Sequence, residues 1–354
     1  MKLQSIGLEA EGWTGVRRAG VLHPVDVEPI ANRWNAKSGV NGYKPVGLVT
    51  REPGLGSIEF AGKEATSISG AVAHILELDR RIRSDGLDIV YAMASPYDQH
   101  HIDPEVTTGR YRALWEAARR ELRALYKEEE VQQRLARMGY LNSRAALHMH
   151  LCHENGVSVA NIDNRIIFLL DVLNFLGPRL ARILCRHYSV DNTGHLITAW
   201  GWGDRRRFCR DDLWYTSFED FLRQYSSLKR MMRPVGELNV QSGDWEVDLE
   251  SPMEWGNEID GKTGHWPLAR ARWQFGTTEI RLLPSWPLES LEEVVNHVVG
   301  FCDLVLSVAP ATIPDTLEAC RSTKAWREIT SYSIVGKTIP ADYNSAMWHE
   351  DVFH

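Results

Sequence analysis

Four stretches far apart in the chain alternate apolar residues with carboxylate, imidazole or guanidinium residues, and this alternation most limits what the chain can fold into. Side chains along a strand point to opposite faces with a period of two, so each stretch has one greasy face and one ionisable face. In residues 6–11 the apolar face is Ile6, Leu8 and Ala10, with Glu9 and Glu11 opposite. Ile58 and Phe60 oppose Glu59, and Leu147, Met149 and Leu151 oppose His148 and His150. In residues 277–282, Ile280 and Leu282 oppose Glu279 and Arg281. A strand with one wet face belongs to an antiparallel sheet more readily than to a parallel one.

Between these strands lie helical patterns. Ile68, Val72, Ile75, Leu76 and Ile82 recur at near-helical spacing over 67–83, which Asp85-Gly86 closes. The stretch 109–138, ended by Gly139, reads as a long surface-facing helix with Glu and Arg at helical spacing. An apolar helix is expected over 164–187, with Pro178 kinking or breaking it. Ser217 and Asp220 resemble a helix start before 218–228, and 288–308 is the last strong helix. A loop rich in Gly and Pro runs through 44–49. Further strands are expected at 87–93 and at 266–273, the latter hairpinned to 277–283 through Phe275-Gly276. Strands mixed with helices, without a βαβ rhythm, predict an α+β fold with a largely antiparallel sheet. No linker divides the chain, so 1–354 reads as one catalytic domain with 310–354 an appended C-terminal segment.

Composition narrows the function classes. At 44% hydrophobic and 25% charged, 354 residues make an ordinary globular chain. A net charge of -7 disfavours nucleic acid as a partner, and Arg205-Arg206-Arg207 is a local basic run. Cys152, Cys185, Cys209, Cys302 and Cys320 form no CxxC pair, the pattern of reduced thiols in a cytoplasmic compartment. The first twelve residues contain no apolar run of signal-peptide type, and no stretch of about 18 apolar residues predicts a membrane span. Neither GxGxxG nor GxxxxGK[ST] occurs, which disfavours Rossmann and P-loop nucleotide sites.

If the polar faces of the four strands converge, the chemistry is that of a hard-cation site. Gathered carboxylates repel one another and lose hydration, so a shared site calls for cations. Mg²⁺ prefers oxygen ligands such as Glu9, Glu11, Glu59 and Glu279 offer, and a guanidinium such as Arg281 suits a phosphoryl group. His148, His150 and His153 leave a zinc-dependent hydrolase open as an alternative. Arg270 and Arg272 either reach toward phosphates and carboxylates or simply face solvent.

Gly7-Leu8-Glu9-Ala10-Glu11 resembles the opening G-φ-E-x-E of the glutamate–cysteine ligase and carboxylate–amine ligase families. Glu59 in Ser57-Ile58-Glu59 is similar to their second metal-binding strand, His148-Met149-His150 to their HxH or HxN strand, and Gly276-Thr277-Thr278-Glu279-Ile280-Arg281 to their late G-T-x-E-x-R. Order and approximate spacing agree over roughly residues 5–305. Residues 200–207 do not match the Arg/Ser/Asn substrate segment of those families.

The resemblance implies a curved antiparallel sheet, similar to that of glutamine synthetase and the guanidino kinases, whose concave face holds ATP and two or three Mg²⁺ ions, with Mn²⁺ an alternative. It makes Glu9, Glu11, Glu59, His148 and Glu279 metal ligands. It places His150 on the nucleotide or substrate side, with Glu279 and Arg281 at the reacting phosphate; Arg272, just before the late motif, is expected to join the nucleotide side. The activity implied is ATP-dependent amide formation between a small carboxylate and an amine, with amino acids the expected substrates. A phosphotransferase on the same fold is the alternative, and a homo-oligomer is compatible with either.

Overall fold

The computed structural model describes residues 1–37, 46–52, 56–92, 96–97, 127–129, 145–158, 161–190, 214–220, 268–272, 275–334 and 337–338. The expected helices at 109–138 and 218–228 therefore lie largely or wholly outside the described residues, as do 200–207 and Cys209.

One long strand, β1 (Leu3–Arg18), organises the sheet. Its first half pairs on one edge with β6 (Ala146–His153), followed there by β5 (Asp88–Val90). Its other edge carries β4 (Ser57–Gly62) and then β2 (Val21–Pro24). Outward from this centre come β3 (Gly47–Arg51), beside β4, and then β8 (Thr277–Pro284) and β7 (Ala269–Arg272) beyond β6. Every pairing among these eight strands is antiparallel, so the α+β reading stands.

The alternation read from the sequence is obeyed. Ile6, Leu8, Ile58, Phe60, Leu147, Met149, Leu151, Ile280 and Leu282 are all buried on the face that the helices cover. Fully burying one such side chain stabilises the fold by roughly 1.5–3 kcal/mol, which is why the register is strongly specified: a slip by one residue would put charges in the core.

Helix α2 (Ile68–Ser84) packs on β1 and β4; α1 (Glu28–Lys37) lies against β3. Ser67 caps α2 by accepting the Gly70 N–H at 3.1 Å. Its buried stripe is Ala71, Val72, Ile75, Leu78 and Ile82, whereas Leu76, expected inside, points to solvent. Asp79 is tolerated in that stripe because Arg83 and the Tyr91 hydroxyl donate to it at 2.8 and 2.9 Å.

Helix α3 (Asn164–Tyr188) crosses β7 and β8. Pro178 does not break it, since the helix continues to Tyr188. At Gly177 the helix backbone comes so close to Leu282 that a Cβ would overlap it. The Asn174 amide exchanges two 3.0 Å hydrogen bonds with the backbone of Ala269, which satisfies that residue's groups on the outer edge of β7.

A 3₁₀ turn, Leu288–Ser290, leads into α4 (Leu291–Val308), which packs on α2 and α3. Beyond Pro310, α5 (Leu317–Arg321) and α6 (Lys324–Thr330) send Leu317, Cys320, Trp326 and Ile329 into the same core. Two short strands, β9 (Ser333–Ile334) and β10 (Lys337–Thr338), pair with each other.

No described helix is long and apolar enough to cross a membrane. The loop expected at 44–49 becomes strand from Gly47 onward, because β4 offers it a complete antiparallel partner. Among the described residues, the strand expected at 87–93 runs over Asp88–Val90, the length over which β1 offers it a partner.

Candidate active site

The face of the sheet opposite the described helices carries the ionisable residues in three cross-strand rows. In the first, Thr50, Glu59 and Glu11 stand side by side on β3, β4 and β1. The second pairs Glu9 with His148, and the third runs Gly7, His150, Glu279, Arg270 across β1, β6, β8 and β7. Strand pairing alone thus gathers residues from the two ends of the chain and its middle. A shift of register places Arg281 and Leu282 together opposite His148. This bulge turns Arg281 toward the second row while Leu282 meets α3.

Glu9 is the hub. Its carboxylate lies 3.1 Å from His148 Nδ1 and 3.1 Å from His150 Nε2. Burial pushes the Glu9 carboxyl upward, but hydrogen bonds from both imidazoles outweigh it and hold the group well below the ordinary carboxylate range. Burial drives His148 down to about 4, with Arg281 adding to the effect, so the ring is neutral at pH 7 and carries a free lone pair. Arg281 Nη1 sits 3.4 Å from His148 Nδ1.

Glu11 and Glu59 behave oppositely. Burial raises both well above the usual carboxylate value, and Glu52 raises both further. The Ala146 N–H to Glu11, at 2.7 Å, and the Thr50 hydroxyl to Glu59, at 2.9 Å, offset only part of this. Glu52 is a site residue that the sequence reading missed. The signal was parity: once 47–51 is paired with β4, Glu52 follows Thr50 by two and falls on the same face.

At the other end of the face Glu279 is fully buried and holds three guanidiniums. Arg281 donates to Oε1 at 2.6 Å, Arg272 to Oε2 at 3.2 Å, and Arg270, also buried, to Oε2. The arginines of β7 thus join the site. Arg272 also rests on the exposed ring of Phe275, 4.9 Å from its centroid.

Glu9, His150 and Glu279 each bring a ligand atom within 4.8 Å of the other two, close enough for one cation to reach all three. His153, the last residue of β6, does not join them. It lies buried on the opposite side of the strand, with neither ring nitrogen hydrogen-bonded.

No family model matches the sequence, and no curated protein matches it. Among solved structures, one of a glutamate–cysteine ligase from Francisella tularensis in complex with AMP is similar over 95% of this chain and 72% of its own, at 13% identity and a TM-score of 0.41. Likeness at that level transfers no residue's role, so each assignment rests on this chain's own side chains.

Proposed function

We propose that the chain is an ATP- and Mg²⁺-dependent carboxylate–amine ligase, with glutamate–cysteine ligase-like chemistry on this face of the sheet. The observation that carries the reading is the polarity of the face. A carboxylate-rich end (Glu11, Glu59 and Glu52) meets a guanidinium-rich end (Arg270, Arg272 and Arg281) across Glu9, His148 and His150. One end suits hard cations and the other suits phosphate oxygens. The motif resemblance, not the geometry, selects a ligase over a phosphotransferase.

The donor set fits divalent ions. Glu52 raises the proton affinity of both Glu11 and Glu59, and Glu11 that of Glu59, the state expected of ligands that share a positive charge when loaded. Glu9, Glu11, Glu59, His148 and Glu279 would hold two or three Mg²⁺, with Mn²⁺ an acceptable substitute. Bound there, the ions would neutralise the charge developing on the transferred phosphoryl group. His150 lines the nucleotide side, where it joins Glu9 and Glu279 around one of the ions, and Arg281 and Arg272 orient phosphate oxygens. Catalysis is then positioning and electrostatics: ATP phosphorylates the acid, the amine attacks the acyl phosphate, and an amide, ADP and phosphate leave. The partners are small molecules, and the expected compartment is the cytoplasm.

The zinc hydrolase reading has less support. His153 cannot serve as the third imidazole, and it leaves the arginine cluster without a task.

The deciding experiment supplies hydroxylamine in place of the amine, with Mg²⁺, ATP and a panel of amino-acid carboxylates. An acyl phosphate gives a hydroxamate and stoichiometric ADP. Phosphate transfer to guanidino compounds with no hydroxamate would select the phosphotransferase. Stoichiometric zinc together with indifference to ATP would end both readings.

A further inference from the structure

The two oxygens of Glu279 are unequally engaged. Oε2 accepts from both Arg270 and Arg272, while Oε1 accepts from Arg281. Arg270 is registered directly opposite Glu279 on β7 and is buried with it, so it is the fixed partner. Arg281 is held differently. It sits at the bulge, between Glu279 Oε1 at 2.6 Å and His148 Nδ1 at 3.4 Å, within the field of Glu9 and Glu11. It has other places to go.

A cation bound by Glu9, His150 and Glu279 requires a lone pair from Glu279. With two guanidiniums on Oε2, the less engaged oxygen is Oε1, which Arg281 alone occupies. We propose that a divalent cation and Arg281 compete for Glu279 Oε1, so that entry of the cation releases Arg281 to an anion beside it while Arg270 keeps the carboxylate aimed. Arg270 is then a positioning residue. Arg281 is an anion receptor held in reserve until the ion arrives, which makes cation and phosphate binding mutually reinforcing. This rests on the reading that the Glu9–His150–Glu279 group takes a cation, and it adds the order of events.

Competition has an unusual signature: removing Arg281 should improve cation binding in the absence of nucleotide. Loss of any nearby positive charge helps somewhat, so R272M, which removes one guanidinium from Oε2, is the control. Mn²⁺ titration of the nucleotide-free protein, followed by the paramagnetic resonance of free Mn²⁺, makes the comparison. R281M should bind Mn²⁺ about tenfold more tightly than wild type, the worth of one charge-assisted hydrogen bond. R272M should gain no more than about threefold, and E9Q/R281M should lose the R281M gain. If R281M does not fold, R281Q takes its place. Equal gains in R272M and R281M, or unchanged or weaker binding in R281M, overturn the competition and leave the cation site standing. Absence of Mn²⁺ binding in wild type and every variant overturns both.

Discussion

Glu11 on β1 stands directly opposite Glu59 on β4, two carboxyl groups on one face with Glu52 close to both. Such an arrangement works against folding when no cation is bound, because burial and mutual repulsion both oppose ionisation.

That opposition predicts a trade of stability against binding. Glu59→Gln keeps the oxygen that accepts from Thr50 and removes one of the repelling charges. The variant should melt a few degrees higher than wild type without added metal, on the scale of about 2–4 °C per kcal/mol. Its Mn²⁺ affinity should fall at least about tenfold, one ligand's worth. Calorimetric melting and Mn²⁺ titration read the two effects, and a variant that melts lower or binds Mn²⁺ normally contradicts the site.

Glu279 is a natural target for mutagenesis, and the structure warns how to read the result. Its carboxylate neutralises the buried Arg270, and removing one partner of a buried ion pair costs about 3–5 kcal/mol. Glu279→Gln should therefore lower the urea midpoint substantially as well as abolish turnover. Arg272→Met, at the partly exposed end of the cluster, should cost less than about 1 kcal/mol. Equal unfolding midpoints for Glu279→Gln and wild type would show that Glu279 is not the anchor of the arginines.

Asp171 lies in the middle of α3, buried, with its Oδ2 accepting the Tyr215 N–H at 3.0 Å and its Oδ1 without a hydrogen-bond partner. Burial raises its carboxyl well above the ordinary aspartate range, and Asp220 adds to the rise. Between the unfolded and folded values the native state binds more protons, so stability falls as pH rises through that window. Asp171→Asn removes the titration. Wild type should lose stability relative to the variant as pH climbs from about 4 toward neutrality, measured by urea unfolding at a series of pH values. A pH-independent difference would mean that Asp171 is ionised and compensated.

Much of this site was legible because strand alternation is local. Glu9, Glu11, Glu59, His148, His150, Glu279 and Arg281 were assigned to polar faces by parity, and pairing brings those faces together. What escaped depends on partners remote in sequence. Residues 47–51 carry a weak strand pattern next to Gly and Pro and become a strand only because β4 lies beside them, so Glu52 was missed. Leu76 and Leu78 both fit a helical stripe, and only the position of the sheet decides that Leu78 is inside. Arg270 and Arg272 read equally well as solvent-facing until β8 set Glu279 beside them. Of the kink or break expected at Pro178, the break does not occur, and α3 runs on across β7 and β8.

His153 separates the two metal readings and carries its own titration. Buried at the end of β6, it is held neutral, with burial bringing its value down from 6.5 to about 4. As pH falls from 6.5 the unfolded chain takes up a proton that the folded ring refuses, so stability is lost progressively down to about pH 4. Over the full window this amounts to about 3 kcal/mol as an order of magnitude. His153→Leu replaces two unbonded buried nitrogens with hydrocarbon, which should flatten the acid limb of the stability profile. Because the ring lies on the far side of β6 from Glu9, the same variant should leave Mn²⁺ affinity and any ATP-dependent turnover unchanged. Loss of metal binding in His153→Leu, with His148 and His150 intact, would restore the three-histidine zinc site and overturn the placement of the cation between Glu9 and Glu279.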